Sequence, residues 1–330
     1  MHARFAFLSR FVARALVMGT MTCIAMSPVA AAQDWPGKPV QVIVPFPVGG
    51  ATDLLARILS QQLSQATGQS FVVENRAGAN GNLGTAAVAN ARADGYTLLF
   101  APTGPLVYNQ FLYKDIQFNP VTSFAPVVKA ADIPLVIAAH PSIPVKTLGE
   151  LVDYAKAKPG VLTYSSAGNG SMGHLTAELL QRELGIQLTH VPYKGSAPAL
   201  NDLLGGIVNL SFDLAPTYAQ FIQNGRVNAL AVTTAERTAL LPEVATVAEQ
   251  GVPDFSVTNW SGFVAPAGVE PRIIERINQI VNDYIGSPQG AQEIRKLGMQ
   301  PASGSPADMA RFIAREIEVW KPIAQSVSIY

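Results

Sequence analysis

The sequence is almost without cysteine, and its one cysteine, Cys23, lies near the amino terminus. Residues 33–330 therefore exclude a disulfide, a thiol nucleophile and a cysteine metal site. A basic patch and long runs of like charge are also missing, which argues against nucleic acid as a partner. His140, His174 and His190 are far apart in sequence. Because no ligand spacing links them, we expect neither a metal nor another cofactor.

The first 32 residues have the pattern of a secretory signal peptide. Arg4, Arg10 and Arg14 form a basic region without acidic residues, an apolar stretch follows, and SPVAAA supplies an A-x-A cleavage pattern ending at Ala32. The apolar stretch is shorter than the roughly 20 residues of a membrane span, which disfavours an uncleaved anchor. We predict export to the periplasm with cleavage near Ala32. Losing three arginines from 23 basic and 23 acidic residues leaves a net charge of −3, so an anion must be bound by local dipoles.

Beyond this leader, short apolar strands alternate with helices of roughly ten residues, a pattern that predicts βαβ units and a mostly parallel sheet. Two longer extended stretches, residues 124–139 and 255–265, interrupt the alternation. We interpret them as strands that cross into a second lobe and back. The prediction is an α/β protein with a discontinuous lobe I (33–132 plus 255–330), a lobe II (133–254) and a hinge. Ligands of such folds lie between the lobes, at the carboxyl ends of strands.

Two segments combine a strand, a glycine-containing turn and a helix start. The first reads VQVIVPFPVGGATDLLARIL and the second reads LTYSSAGNGSMGHLTAELL. Each exposes backbone N–H groups and the positive end of a helix dipole at one point, which suits an anion. We predict that the two turns face each other across the cleft and hold one small carboxylate. The apolar tip Phe46, Pro47 and Val48 would then form a wall of the pocket.

Several polar residues have both a structural and a functional interpretation. Asp53 lies in the first turn of a helix, where it would fix the turn, since direct contact with a carboxylate would be repulsive. Asp213 follows a strand at the expected cleft edge; it either makes a capping or hinge contact or binds an ammonium or hydroxyl group of the ligand. Asn80 and Thr103 lie on other loops at this edge, as turn formers or as ligand contacts.

Two enzymatic interpretations of the second segment are weaker. Residues 168–173 match G-x-G-x-x-G, but the next strand ends in HVPY without the acidic residue that binds a ribose, so we reject a dinucleotide site. Ser171 and His174 are three residues apart at a helix start. An exported hydrolase therefore remains an alternative, although no orienting acid is singled out. Helix capping is the simpler role for Ser171.

Nearly all of residues 33–330 resembles the tripartite tricarboxylate transporter substrate-binding proteins, the Bug (TctC-like) receptors. The resemblance rests on segments such as VVENRAGANGNLGT, YSSAGNGSMGHLTAELL, HVPYKGSAPALNDLLGG and WSGFVAPAG. It implies a monomeric periplasmic receptor of the type II binding-protein fold, with two lobes that close around a carboxylate and no catalysis. Its partners would be the membrane subunits of a tripartite tricarboxylate-type transporter or, alternatively, a sensor protein.

The resemblance also implies that main-chain amides of the two turns hold the carboxylate, largely with ordered water. Relatives carry a polar, often histidine-containing stretch where this chain has residues 101–106, so we expect a smaller and more apolar pocket there. Candidate ligands are C4 to C6 di- and tricarboxylates, acidic amino acids and aromatic acids. Few basic residues lie near the turns, which disfavours a tricarboxylate. The predicted ligand contacts are Phe46, Pro47, Val48, Gly49, Gly50, Thr52, Asp53, Asn80, Thr103, Ser166, Ala167, Gly168, Asn169, Gly170, Ser171, His174 and Asp213.

Overall fold

Strands and helices alternate along the described chain. The computed structural model describes residues 35–327, so the predicted signal peptide lies outside the described residues. The strands are β1 (Val40–Val44), β2 (Phe71–Asn75), β3 (Thr97–Pro102), β4 (Phe124–Ala139), β5 (Thr163–Ser166), β6 (Thr189–Pro192), β7 (Leu210–Leu214), β8 (Asn228–Val232), β9 (Thr258–Pro266) and β10 (Gln300–Pro301). The helices are α1 (Ala51–Thr67), α2 (Asn82–Ala89), α3 (Thr103–Leu106), α4 (Asn109–Leu112), α5 (Leu148–Ala157), α6 (Met172–Leu184), α7 (Ser196–Leu204), α8 (Ala215–Gln223), α9 (Pro271–Gly286), α10 (Pro288–Lys296) and α11 (Pro306–Ser326).

The strands form one mixed sheet in the order β2-β1-β3-β9-β4-β7-β5-β6, with β8 and β10 also paired to β4. Strand β1 pairs in parallel with β2 and β3, and β5 pairs in parallel with β6 and β7. Strands β4 and β9 run antiparallel to their neighbours. The expectation of a mostly parallel sheet is therefore wrong at the centre. A chain that crosses between lobes in one strand and returns in another produces an antiparallel pair.

Strand β4 is the continuous link between the two halves of the sheet. Its first part, up to Pro134, pairs with β9, and its second part, from Leu135, pairs with β7 and β8. The predicted crossing over residues 124–139 is confirmed as a single strand. The predicted return over residues 255–265 becomes a strand only at Thr258. The lobe boundaries expected after residues 132 and 254 lie close to these positions and stay a prediction.

Helix ends follow local sequence signals. Gly68 and Gly185 end α1 and α6 in the left-handed conformation that glycine adopts without a steric penalty. The helix expected over residues 106–112 is instead two short turns, α3 and α4, because Val107 leaves helical geometry between them. No helix among residues 35–327 combines the length and the apolar character that a membrane span requires.

Strand β9 packs large aromatic side chains against its neighbours. Trp260 and Phe263 of β9 are fully buried. The Trp260 ring meets Phe312 edge to face at 5.3 Å, and the Phe263 ring meets Phe100 at 4.7 Å. Such contacts bury a large apolar area where the lobes join. Candidate polar ligand contacts are therefore expected at the carboxyl ends of the strands.

Candidate functional site

A cavity of about 620 Å³ opens where several strands end. It lies beyond the carboxyl ends of β1 and β3 in lobe I and of β5, β6 and β7 in lobe II, as expected for ligand sites in open α/β sheets. The residues that line it are Phe46, Pro47, Val48, Gly49, Gly50, Ala51, Thr52, Asp53, Asn80, Pro102, Gly104, Tyr108, Ala167, Ser171, Met172, Gly173, Lys194, Gly195, Ser196, Ala197, Pro198, Asp213, Leu214 and Asn259.

A second cavity of similar volume, about 690 Å³, lies against β4 and α11. Two of its charged side chains pair with each other: the Lys129 ammonium lies 2.7 Å from the Asp132 carboxylate and sits over the Phe312 ring. The indole N–H of Trp320 donates to Glu316. Because these groups are already paired, the cavity at the strand ends is the better candidate for a ligand site.

The first turn (residues 46–53) is fixed from behind by Asp53. One oxygen of this buried carboxylate accepts from the Gly49 N–H at 2.9 Å and from Arg57 Nε at 3.0 Å, and the other accepts from Asn75 at 2.9 Å. Asn75 also donates to the Phe46 carbonyl at 3.0 Å. Burial raises the pKa of Asp53, but the bonds from Arg57, Gly49 and Asn75 outweigh it and hold the pKa below its usual value.

These bonds leave the start of α1 open towards the cavity. Gly50 is the residue before the helix and supplies no side-chain cap. The first N–H groups of a helix lack an intrahelical acceptor, so those of Ala51 and Thr52 remain for a ligand. A Cβ atom on Gly50 would meet nothing nearer than the Pro47 carbonyl oxygen at 3.8 Å. The first turn therefore presents free donors and open space together.

The second turn (residues 166–171) uses three of its own N–H groups, those of Gly168, Gly170 and Ser171, in internal hydrogen bonds. The Gly168 N–H donates to the Ser166 hydroxyl at 3.2 Å, and the Gly170 N–H donates to His174 Nδ1 at 3.1 Å. The Ser171 hydroxyl accepts from the His174 N–H at 3.3 Å. The donors left at this side include those of Met172 and Gly173 at the start of α6 and that of Ala167, and all three residues line the cavity.

Two stacked histidines support the second turn. The His174 and His190 rings lie 3.8 Å apart and nearly parallel, and His190 Nε2 is 2.7 Å from the Ser166 hydroxyl. Burial lowers the pKa of both rings, and the neighbouring His174 further lowers that of His190, to about 3. Both rings are therefore neutral at neutral pH, and the His174 Nδ1 lone pair is free to accept the Gly170 N–H.

The same contacts bear on the hydrolase alternative. The Ser171 hydroxyl accepts from a backbone N–H, and His174 Nδ1 accepts from Gly170. His174 Nε2 lies 3.9 Å from Glu178, whose carboxylate accepts from the Tyr164 hydroxyl at 2.8 Å. Ser171 thus caps a helix, as its position indicates. A nucleophile would need its hydroxyl bonded to the ring that serves as base.

A third turn (residues 194–198) also reaches the cavity, and the sequence predictions omit it. It follows β6 and begins α7, with Gly195 at φ 112° and no side-chain cap. The Gly195 N–H donates to the Ala167 carbonyl at 3.1 Å, which ties this turn to the second one. Lys194 is exposed at the cavity. The strand–glycine–helix pattern in HVPYKGSAPAL was the signal available, and Lys194 weakens the argument that basic residues are scarce.

Asp213 lines the cavity at the end of β7 and is only 4% exposed. Its Oδ1 accepts from the Leu214 N–H at 2.7 Å, and its Oδ2 has no hydrogen-bond partner in the described part of the chain. Burial raises the pKa of Asp213 to about 6, although the Ser196 hydroxyl and the Leu214 N–H act in the opposite direction. An unpaired buried carboxylate oxygen is rare in proteins and calls for a specific reason.

Asn80 and Thr103, the two predicted contacts on other loops of lobe I, have different positions: Asn80 lines the cavity, and Thr103 is buried behind it. Asn80 lines the cavity in a left-handed conformation, φ 52°, and its amide lies 3.5 Å from the Gly170 carbonyl of lobe II. Thr103 is fully buried and bonds both the N–H and the carbonyl of Trp260. Pro102 and Gly104 line the cavity beside it. The predicted contacts that lie outside the lining of the cavity are Thr103, Ser166, Gly168, Asn169, Gly170 and His174.

Two α/β lobes, crossing strands β4 and β9 and a cavity at the strand ends define the type II fold of periplasmic solute-binding proteins. The model of the tripartite tricarboxylate transporter family receptor (TctC) matches residues 55–329. The chain belongs to this family, and it is a solute-binding receptor by that membership.

Individual relatives agree with this assignment. BugT of Bordetella pertussis (strain Tohama I) is 37% identical over 295 residues, 89% of this chain and 90% of BugT. The structure of R. palustris Rpa4515 with adipate is 38% identical with a TM-score of 0.81, over 89% of this chain and 99% of that one. MatC (Rpa3494) from Rhodopseudomonas palustris with bound malate is 30% identical with a TM-score of 0.76, over 88% and 100%.

Proposed function

We propose that the protein is a periplasmic receptor that captures a small carboxylate at the starts of α1 and α6. The observation that carries the proposal is the convergence of these two helix starts, and of α7, on one cavity. Each helix start contributes a partial positive charge and N–H donors. An anion placed between them gains charge-assisted hydrogen bonds without any basic side chain.

Carboxylates fit the site better than other anions for two reasons. The backbone donors belong to the first turns of two separate helices, α1 and α6. Two separate groups of donors match the two oxygens of a planar carboxylate, whereas a tetrahedral phosphate is usually bound by the N–H groups of a single loop. The similar structures of Rpa4515 and MatC hold adipate and malate. We infer that the first turn binds one oxygen and the start of α6 binds the other, directly or through ordered water.

Ligand binding would favour a closed arrangement of the lobes. The cavity takes its lining from both lobes, so a ligand gains its full set of contacts only when the lobes are together. The Asn80 amide, 3.5 Å from the Gly170 carbonyl, is positioned to stabilise the closed arrangement further. Strands β4 and β9 are the segments about which the lobes would move.

The partner follows from the family. A receptor of this kind would act as a monomer, deliver its ligand to the membrane subunits of a tripartite tricarboxylate-type transporter, and reach the periplasm through cleavage near Ala32. Presentation of the ligand to a sensor protein is the second candidate. Both require reversible binding without turnover.

The test begins with native mass spectrometry of the purified protein, followed by thermal-shift and calorimetric titrations with C4 to C6 and aromatic carboxylates. We expect reversible binding of at least one carboxylate and weaker binding in Gly50→Val. Absence of carboxylate binding throughout would contradict the proposal. Incubation with ester and amide substrates tests the hydrolase alternative: turnover that disappears in Ser171→Ala would overturn the receptor function.

A further inference from the structure

Two buried aspartates line the cavity, and only one of them has all its bonds. Asp53 receives bonds from Gly49, Arg57 and Asn75 and is complete without a ligand. Asp213 is similarly buried, but its Oδ2 has no hydrogen-bond partner in the described residues. Leaving a buried carboxylate oxygen unpaired is unfavourable. The difference indicates that Asp213 receives its missing partner from outside the chain.

From this difference we infer that the bound carboxylate also carries a hydrogen-bond donor, an ammonium or hydroxyl group, and that Asp213 binds this donor. The inference rests on the proposed function and specifies the ligand class of the same site. Substituted acids of this kind, such as amino and hydroxy dicarboxylates, are then favoured over unsubstituted ones of equal length.

The position of Asp213 relative to α6 supports the inference. Helix α6 starts directly on β7: a Cβ atom on Gly173 would lie 1.9 Å from the Phe212 carbonyl oxygen and 3.7 Å from the Asp213 Cα. Gly173 therefore lies beside the Asp213 backbone, and Met172, Gly173 and Asp213 line the same cavity. A ligand whose carboxylate meets these N–H groups brings a substituent on the neighbouring carbon towards Asp213.

Charge decides which substituent fits. A second carboxylate beside Asp213 would bring two negative groups together in a buried site. An ammonium or hydroxyl group instead forms a hydrogen bond to an ionised acceptor, which is among the stronger hydrogen bonds in proteins. The Ser196 hydroxyl acts on Asp213 and lowers its pKa, so it is one competing partner within the chain. Lys194 lines the same cavity and is a second candidate. It is exposed, and no ion pair joins it to another side chain in the described part.

The experiment compares pairs of ligands that differ at one carbon. Calorimetric titrations use succinate with L-malate and L-aspartate, glutarate with L-glutamate, and adipate with L-2-aminoadipate, so that chain length cancels within each set. We expect the substituted member of the set that binds to be favoured by at least about tenfold, the value of one hydrogen bond to a charged group. In Asp213→Asn this ratio falls by about tenfold or more, because the amide cannot carry the negative charge.

Three variants serve as controls. Asp53→Asn removes a charge from the other buried aspartate of the cavity, so it should weaken both members of a pair alike and leave their ratio unchanged. Lys194→Met and Ser196→Ala each remove a competing partner within the chain and should preserve the preference. Loss of the preference in Lys194→Met or in Ser196→Ala would overturn the inference, as would equal binding within every pair by the unaltered protein.

The failure of this inference is distinguishable from the failure of the proposed function. One outcome of native mass spectrometry and titration is a carboxylate ligand without a donor group, with no substituted acid that binds better. In that case Asp213 does not bind a donor group of the ligand, and the receptor function stands. If no carboxylate binds at all, both fail. The unaltered protein alone decides between these outcomes, so the result holds even if Asp213→Asn does not fold.

Discussion

The first and second turns share one sequence plan and use their backbone donors in opposite ways. In the first turn, Asp53 and Asn75 hold the loop from behind, and the start of α1 is left open. In the second turn, Ser166, Ser171 and His174 bond the backbone N–H groups themselves. A glycine-containing strand–helix turn can therefore bind an anion only where its own side chains leave backbone donors free.

This contrast changes where the second half of the carboxylate site lies. The glycines of the second turn shape the loop, and we propose that the binding groups are instead the N–H groups of Met172 and Gly173 at the helix start. The first turn depends on Gly50, which lines the cavity and leaves space there. Substitutions that act on one turn and spare the other therefore test the comparison directly.

The largest effect is expected at Gly173. A Cβ atom in Gly173→Ala would lie 1.9 Å from the Phe212 carbonyl oxygen, so α6 must move away from β7. We expect loss of about 1–3 kcal/mol in the free energy of unfolding and loss of detectable ligand binding. The matched control is Gly50→Ala, whose Cβ has its nearest neighbour at 3.8 Å. Urea unfolding and calorimetry measure both variants. Normal binding by Gly173→Ala would remove α6 from the site.

The next effect is expected at Asp53. Asp53→Asn removes the ionised acceptor shared by Gly49, Asn75 and Arg57 and should lower the free energy of unfolding by about 1–3 kcal/mol at neutral pH. The pKa of Asp53 is held below 3.8 in the folded protein. The stability difference from the unaltered protein is therefore full above that value and disappears as the pH falls through the folded pKa. A difference that persists at lower pH would show that packing, and not charge, fixes the first turn.

Two valine substitutions separate open space from backbone strain. Gly170 has φ 71°, so Gly170→Val should strain the second turn by about 1–2 kcal/mol and weaken binding through the displaced start of α6. Gly50 has φ −73°, so Gly50→Val should keep the stability and weaken binding by filling the cavity. Thermal unfolding and titration with several carboxylates distinguish the two effects. Unchanged affinity in both variants would refute the two-turn site.

The smallest effect is expected from the stacked histidines behind the second turn. Burial holds the pKa of His174 and His190 below the usual value of 6.5. Their contribution to stability is therefore full above about pH 6.5 and declines as the pH falls towards the folded pKa values. His190→Gln should flatten this decline, whereas the control His140→Gln should retain it. A slope unaffected by His190→Gln would assign the decline to other groups.

The fold was largely predictable from local signals, and its centre was not. Thr147 and Ser305 are residue types that mark helix starts in a sequence, and each caps a helix with a capping box in the structure. The antiparallel pairing of β4 with β9 joins residues far apart in the chain, and no local pattern encodes it. For the same reason Thr103, which reads as a cleft residue, instead holds Trp260 of β9.

The site was predictable as a place but only partly as a set of side chains. Strand–glycine–helix patterns locate the first and second turns, and HVPYKGSAPAL offers the same signal for the third. Side-chain hydrogen bonds, such as the one that His174 accepts from the Gly170 N–H, decide which backbone N–H groups remain free. The spacing of residues in the sequence does not reveal which way these side chains point. Asn259 carries no local signal, because it reaches the cavity only through the crossing of β9.

The most direct test of the two-turn site is a crystal structure of the protein with a carboxylate that calorimetry shows to bind. We predict one carboxylate group between the lobes, with one oxygen bonded to N–H groups at the start of α1 and the other to those of Met172 and Gly173, directly or through one ordered water. A carboxylate that contacts a single lobe, or that pairs with Lys194 away from both helix starts, would contradict the account.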